Sequence, residues 1–151
     1  ALAHMRAALE LDPVSPRVNG DVGRLFYLAG RHEQAIAQCR RSQALLPEEL
    51  RHRDCVVHAL VEKGARKEAT TEAAAILREH AGAGTGESTD PVEPDGDVLT
   101  AYWRWAGTTI AERAARGEDS HVHAAAAWAR AGEPDRAFAQ LEAAWAVRRT
   151  P

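Results

Sequence analysis

The sequence predicts an all-α fold of about eight helices laid out as antiparallel pairs, and three observations predict it. Apolar residues make up 45% of the 151 but aromatics only 5%, so the apolar content is mostly Ala, Leu and Val. Ala is the strongest helix former, and small side chains let helix axes approach closely. Apolar positions recur at the 3.6-residue period of an amphipathic helix. Landmarks also recur every 34 residues: Gly30 and Gly64 are 34 apart, each is followed five residues on by an alanine (Ala35, Ala69), and Pro13 and Pro47 are 34 apart as well. Gly132 and Ala137 stand 68 beyond Gly64 and Ala69, twice the period. An amphipathic bundle without repeats would show the first two signals and lack the third.

Taken in order, Ala1 stands 34 residues before Ala35, so the first eleven residues read as the second helix of a truncated repeat. The next helix runs over about 16–29, with Val18, Val22, Leu25, Phe26 and Ala29 on one face. Ser15 is placed to cap it, Pro16 suits its first position, and Gly30 stops it by adopting the left-handed conformation. A helix over about 32–46 follows, with Ala35, Ile36, Cys39, Ser42 and Leu46 on one side and Pro47 forcing its end. The segments 48–63 and 65–80 repeat that plan, and 120–131 with 134–148 repeat it again, the last helix carrying Ala137, Phe138, Leu141, Ala144 and Trp145 as its stripe. Between them lie an acidic, Gly/Pro-rich loop at 82–96 and an extra helix over 97–116, with Leu99, Tyr102, Trp103, Ala106 and Ile110 on one side. Trp103 and Trp105 cannot share a helix face, so one is expected in the core and the other exposed or covered by a partner.

Gly23, Phe26, Ala35 and Pro47 fill the four places of a known helical repeat: a small residue, an aromatic three on, an alanine in the second helix and a closing proline. Val57, Leu60 and Ala69 stand in those places in the next unit, and Ala125, Trp128 and Ala137 in the last. The chain therefore resembles the tetratricopeptide repeat family. The runs Leu9–Pro13, Ala101–Trp105 and Ala129–Phe138 are similar to the C-terminal repeat region of bacterial multidomain regulators of transcription or signalling. The resemblance implies a right-handed α-solenoid over residues 1–151 acting as a protein–protein interaction module of a larger regulator. It implies no catalysis and no cofactor. In the family the first helix of each pair lines the concave face that holds a peptide. The matching polar positions are Arg17, Arg24 and Tyr27, then Arg51, Asp54 and His58, then His123 and Arg130. Gly20 stands where a chaperone-binding member needs a lysine, so an acidic segment gripped by Arg17, Arg24 and Arg51 fits better than a chaperone C-terminus. The chain's own acidic segment is one such sequence.

Charge and motifs narrow the alternatives. Residues 1–81 carry 12 bases and 11 acids, 82–97 carry 5 acids and no base, and 98–151 carry 7 bases and 6 acids. The helical body is near neutral and offers no basic field for direct nucleic-acid binding. No apolar run approaches the roughly 20 residues of a membrane span. Cys39 and Cys55, without metal or scaffold spacing, read as reduced thiols of a cytoplasmic protein, Cys39 in the core. His52-Arg53-Asp54 opens like a kinase catalytic loop, but Ala59 replaces the required Asn, so a solvated helix start is expected. Gly86-Glu87-Ser88 puts an acid where a phosphate loop needs lysine. His121 and His123, two apart on a helix, diverge and form no metal pair. The competing readings are a small-molecule sensing pocket near Tyr102, Trp103 and Trp128, and a non-catalytic accessory domain of an enzyme. Apolar surface at Leu2, Met5 and Leu9 is expected at the N-terminal end, where a homodimer would form.

Overall fold

A computed structural model describes residues 2–81 and 97–149, and the regular structure among them is entirely helical. The helices are α1 (Leu2–Leu11), α2 (Pro16–Leu28), α3 (His32–Leu45), α4 (Leu50–Glu62), α5 (Arg66–Ala81), α6 (Val98–Ala115), α7 (His121–Arg130) and α8 (Pro134–Arg149). Each expected helix is present, with ends shifted by two residues at most. The acidic segment 82–96 lies outside the described residues. Among the described residues no helix is long and apolar enough to cross a membrane.

The helix ends follow from local chemistry. Ser15 accepts from the Val18 amide at 3.3 Å, with Pro16 at the first helical position, where no amide is needed. Asp97 accepts from Leu99 N at 3.3 Å and Ser120 from Val122 N at 3.2 Å. The C-terminal stops of α2, α4 and α7 are the same turn built three times. Gly30, Gly64 and Gly132 have φ of 70°, 80° and 75°. Each glycine N–H donates to the carbonyl three residues back, and the next residue's N–H reaches five back: Arg31 to Phe26, Ala65 to Leu60, Glu133 to Trp128. This pair of bonds satisfies carbonyls the helix leaves open, and the positive φ selects glycine. The 34-residue period in the sequence is thus a period in backbone geometry. Gly117 makes the same turn after α6, off that spacing.

The chain divides into two compact units, Ala1–Ile76 and Leu77–Pro151. In the first, α2 lies antiparallel to α3. Gly23 sits where the axes approach: a Cβ there would overlap Cys39 Sγ and lie 3.1 Å from Cys39 N. Ser42 Oγ donates to Pro16 O, and Gln38 Nε2 donates to Asn19 Oδ1. Asn19, fully buried, donates to Pro13 O at 3.1 Å and Ser15 O at 2.7 Å, tying the α1–α2 turn to the helix pair. Val22, Ala35, Cys39, Val56, Val57, Leu60, Ala69, Ala73 and Ile76 complete a core that is almost dry. In the second unit α6, α7 and α8 run up, down and up. The α6–α7 approach is again a glycine: a Cβ on Gly107 would lie 2.7 Å from the Trp128 ring. Ala124, Ala125 and Ala127 are buried beside it.

Four expectations are overturned. Cys39 and Cys55 are not free thiols: they form a disulfide, with Cα atoms 6.1 Å apart, because α3 and α4 lie side by side and face these two positions toward each other. The His52-Arg53 helix start is not solvated: both residues are at least nine-tenths buried, with the His52 ring against Gly20 of α2. Leu46 falls at the end of α3, beyond its packed face, and is exposed. The stripe assigned to α8 does not face the core. Ala137 is buried, but Phe138, Leu141 and Trp145 point outward. The short, alanine-faced α7 admits only the small side of α8, and bulky residues cannot enter so close an approach.

Candidate functional site

The candidate site is built from α2 and α4. These helices run in the same direction, because Gly20 of α2 abuts the His52 ring near the start of α4 and Tyr27, two turns on, meets His58. The Tyr27 and His58 rings meet edge-on, with centroids 5.8 Å apart and planes at 88°. His32 at the start of α3 approaches the other side of Tyr27, with centroids 6.2 Å apart. Both geometries suit the positive edge and negative face of an aromatic ring.

The charged candidates of the first unit lie on the same two helices. Arg17 and Arg24 lie two turns apart on α2, and both are exposed. Arg17 reaches Asp21 only at 4.0 Å, with its side chain 92% exposed, so solvent screens most of that attraction. Arg51 is exposed, and Asp54 and His58 are half-buried on α4. The first unit thus gathers Arg17, Arg24, Tyr27, Arg51, Asp54 and His58 on two adjacent, co-directed helices.

His123 and Arg130 belong to the second unit and make a separate set. His123 Nδ1 is 2.9 Å from Asp119 Oδ1, and Arg113 approaches the same carboxylate at 3.9 Å. Arg130 stands over the Trp103 ring at 5.5 Å. His121 bonds to Gln140 at 2.8 Å, so the two α7 histidines have different partners. No group of three or more metal-ligating residues occurs among the described residues.

Sequence reasoning missed His52 as part of this region. Its ring fills the space left by Gly20, and its Nδ1 has no hydrogen-bond partner among the described residues. Burial pushes its pKa below 6.5, opposed by the nearby carboxylates of Glu49 and Asp21. The available signal was position: His52 is one turn before Val56 on the buried face of α4. Tyr102, Trp103 and Trp128, the residues of the competing small-molecule reading, are all buried. Tyr102 is fully buried with its ring 4.7 Å from that of Trp103, and Trp128 lies between Gly107 and the Arg136 guanidinium, 4.6 Å from its ring. A shallow cavity of about 340 Å³ is lined by Trp128 together with Thr108, Glu112, Arg136, Gln140 and two alanines. Trp105, expected exposed or partner-covered, is half-buried with its ring 4.8 Å from that of His80. Searches against protein-family models and against curated proteins give no match for this chain.

Proposed function

We propose that this chain is a tetratricopeptide-like interaction module of a larger regulatory protein, and that its α2/α4 face holds an extended acidic segment of a partner protein. The observation that carries the reading is the co-directed pair α2 and α4. They end in the same glycine turn 34 residues apart, as successive first helices of stacked hairpins would, and between them they carry Arg17, Arg24, Tyr27, Arg51 and His58. Arg40 of α3 pairs with Glu72 of α5 at 3.4 Å, a contact compatible with neighbouring second helices. Tyr27 supplies rigid contact area at low entropic cost, and the guanidinium forks supply charge-assisted bonds to carboxylates. On this reading the module acts by binding alone, without a cofactor.

The test is calorimetric titration of the full chain with a synthetic peptide of the sequence at 86–97, beside a charge-neutral version with Asn and Gln at its acidic positions. The acidic peptide is expected to bind, and the affinity to fall as salt rises. The double variant Arg24→Glu/Arg51→Glu should weaken binding about tenfold or more, and Tyr27→Ala should weaken it independently of salt. Equal binding of the two peptides, or indifference to the arginine reversals, would remove the acidic-segment reading.

A further inference from the structure

The Cys39–Cys55 bond lies in the middle of the contact between α2 and α4. Three residues before Cys55, the His52 ring abuts Gly20. Three residues after it, the His58 ring meets Tyr27 edge-on. Between these two contacts, the Cys39 sulfur occupies the space that a Cβ on Gly23 would fill. One bond thus ties α3 to α4 at the level where Cys39 is packed on α2. The two cysteines are unequally placed: Cys39 is fully buried and Cys55 is half-buried. Reactive cysteines are partly exposed ones, and deeply buried ones are inert. We propose that this bond is a redox switch: a small dithiol opens it in the folded chain by attack at Cys55, and opening lets α4 shift on α2.

A thiolate of the dithiol attacks Cys55 Sγ. The Cys39–Cys55 bond breaks, and its electron pair leaves on Cys39, which takes a proton from water. Cys55 is now joined to the reagent as a mixed disulfide. The reagent's second thiol, as thiolate, attacks the reagent's own sulfur in that bond and expels Cys55, which is protonated in turn. The protein has gained two electrons and two protons, and the dithiol leaves as a cyclic disulfide that has lost the same. The oxidised reagent drives the reverse. Attack at Cys39 would set the reagent on a sulfur backed by the α2 chain at Gly23, where no space remains. Opening also moves the helices. Non-bonded heavy atoms sit about 3.5–4.0 Å apart, so the two freed sulfurs must separate. Cys39 is walled in by Gly23, so Cys55 is the one that gives. His52 and His58 stand a turn to either side of Cys55 on α4, and their contacts with Gly20 and Tyr27 move with it.

The experiment treats the full chain with dithiothreitol in the absence of denaturant, stops aliquots with iodoacetamide and counts alkylated cysteines by mass. Attack on the folded chain gives a rate proportional to reagent and unchanged by about 1 M urea, whereas opening through global unfolding accelerates about fivefold or more. The two thiols are then compared one at a time with a chromogenic aromatic disulfide. Cys55 in Cys39→Ser should react at least about tenfold faster than Cys39 in Cys55→Ser. Circular dichroism checks that both variants keep their helix content; if either loses it, the wild-type measurements decide alone. Proton NMR of the reduced wild type should show the Tyr27 and His58 ring signals displaced, away from both their oxidised values and their values in urea. A rate that follows urea overturns the proposal, as does a Cys39 thiol that reacts as fast as Cys55. Ring signals that stay at their oxidised values, or that fall at those of the unfolded chain, overturn it too. No peptide enters this test, so the switch and the acidic-segment reading stand or fall separately.

Discussion

Glycines 23 and 30 are seven residues apart and are required for different reasons. Gly30 is needed for its backbone: φ is 70° and nothing lies within 4 Å of where a Cβ would stand. Gly30→Ala should therefore cost roughly 1–2 kcal/mol, the left-handed penalty of a side-chain-bearing residue. Gly23 is needed for space, because a Cβ there collides with Cys39 Sγ and crowds the α3 backbone. Gly23→Ala should cost about 1–3 kcal/mol by overpacking. The two causes separate in a double-mutant cycle under reducing conditions. Cys39→Ala should recover part of the loss in Gly23→Ala and none in Gly30→Ala, measured by urea denaturation. His52 makes a prediction of a third kind. Burial holds its folded pKa below the unfolded value of 6.5, so the unfolded chain binds more protons in that range. Stability is therefore full above about pH 6.5, falls as pH drops through that value, and levels off below the folded pKa. Glu49, Asp21 and Arg51 are the charged groups acting on the ring. Subtracting the thermal midpoints of His52→Gln from those of wild type between pH 8 and pH 5 should leave a curve of this sign; a flat difference would show that the ring is not held neutral.

At the scale of elements, the Cys39–Cys55 disulfide joins α3 to α4. The cysteines are 16 positions apart in sequence, so restriction of the unfolded chain is worth about 3 kcal/mol. Reductant should lower the unfolding midpoint of wild type, and Cys55→Ala should start from the lowered value and no longer respond. This bond also shows where legibility in the sequence ends. The helices were legible because caps, glycine stops and the 3.6 period are local, and Ser42 and Cys39 could be placed near the core because they share a face with Ala35 and Ile36. Whether Cys39 meets Cys55 depends on the angle and register between two helices, which neither helix encodes alone. The same limit misplaced α8. Its apolar period names Phe138, Leu141 and Trp145 as the inward face, but the partner helix decides, and Ala124 and Ala127 of α7 accept only the alanine side. The 34-residue spacing made the polar positions of α2 and α4 legible as candidates. The edge-on contact of Tyr27 with His58 and the burial of His52 against Gly20 were not, because both depend on how far α4 is shifted along α2.

At the scale of the whole molecule, chemistry is unevenly divided between the two units. The disulfide lies in the first, Ala1–Ile76, while all four tryptophans (103, 105, 128 and 145) lie in the second. Tryptophan fluorescence therefore reports the second unit alone, whereas the far-ultraviolet signal sums helices from both. The two units have separate cores. Val22, Val56, Leu60 and Ile76 close the first, and Leu99, Tyr102, Trp103 and Trp128 close the second. Cooperative blocks of a chain follow such cores. Reduction of the disulfide should then move the helix-detected urea transition to lower denaturant and broaden it, while the fluorescence-detected midpoint stays where it was. Gly107→Ala, which forces a side chain into the Trp128 ring, should do the reverse: it should lower the fluorescence midpoint and leave the reductant-sensitive phase unmoved. If both probes shift together under either perturbation, the chain unfolds as one block, and the stability of α6–α8 depends on the repeats of the first unit. The independent outcome has a consequence for binding. A peptide held on α2 and α4 would then raise the helix-detected transition by mass action and leave the tryptophan signal unchanged, so a single titration with two detectors reads the site and the division of the chain at once.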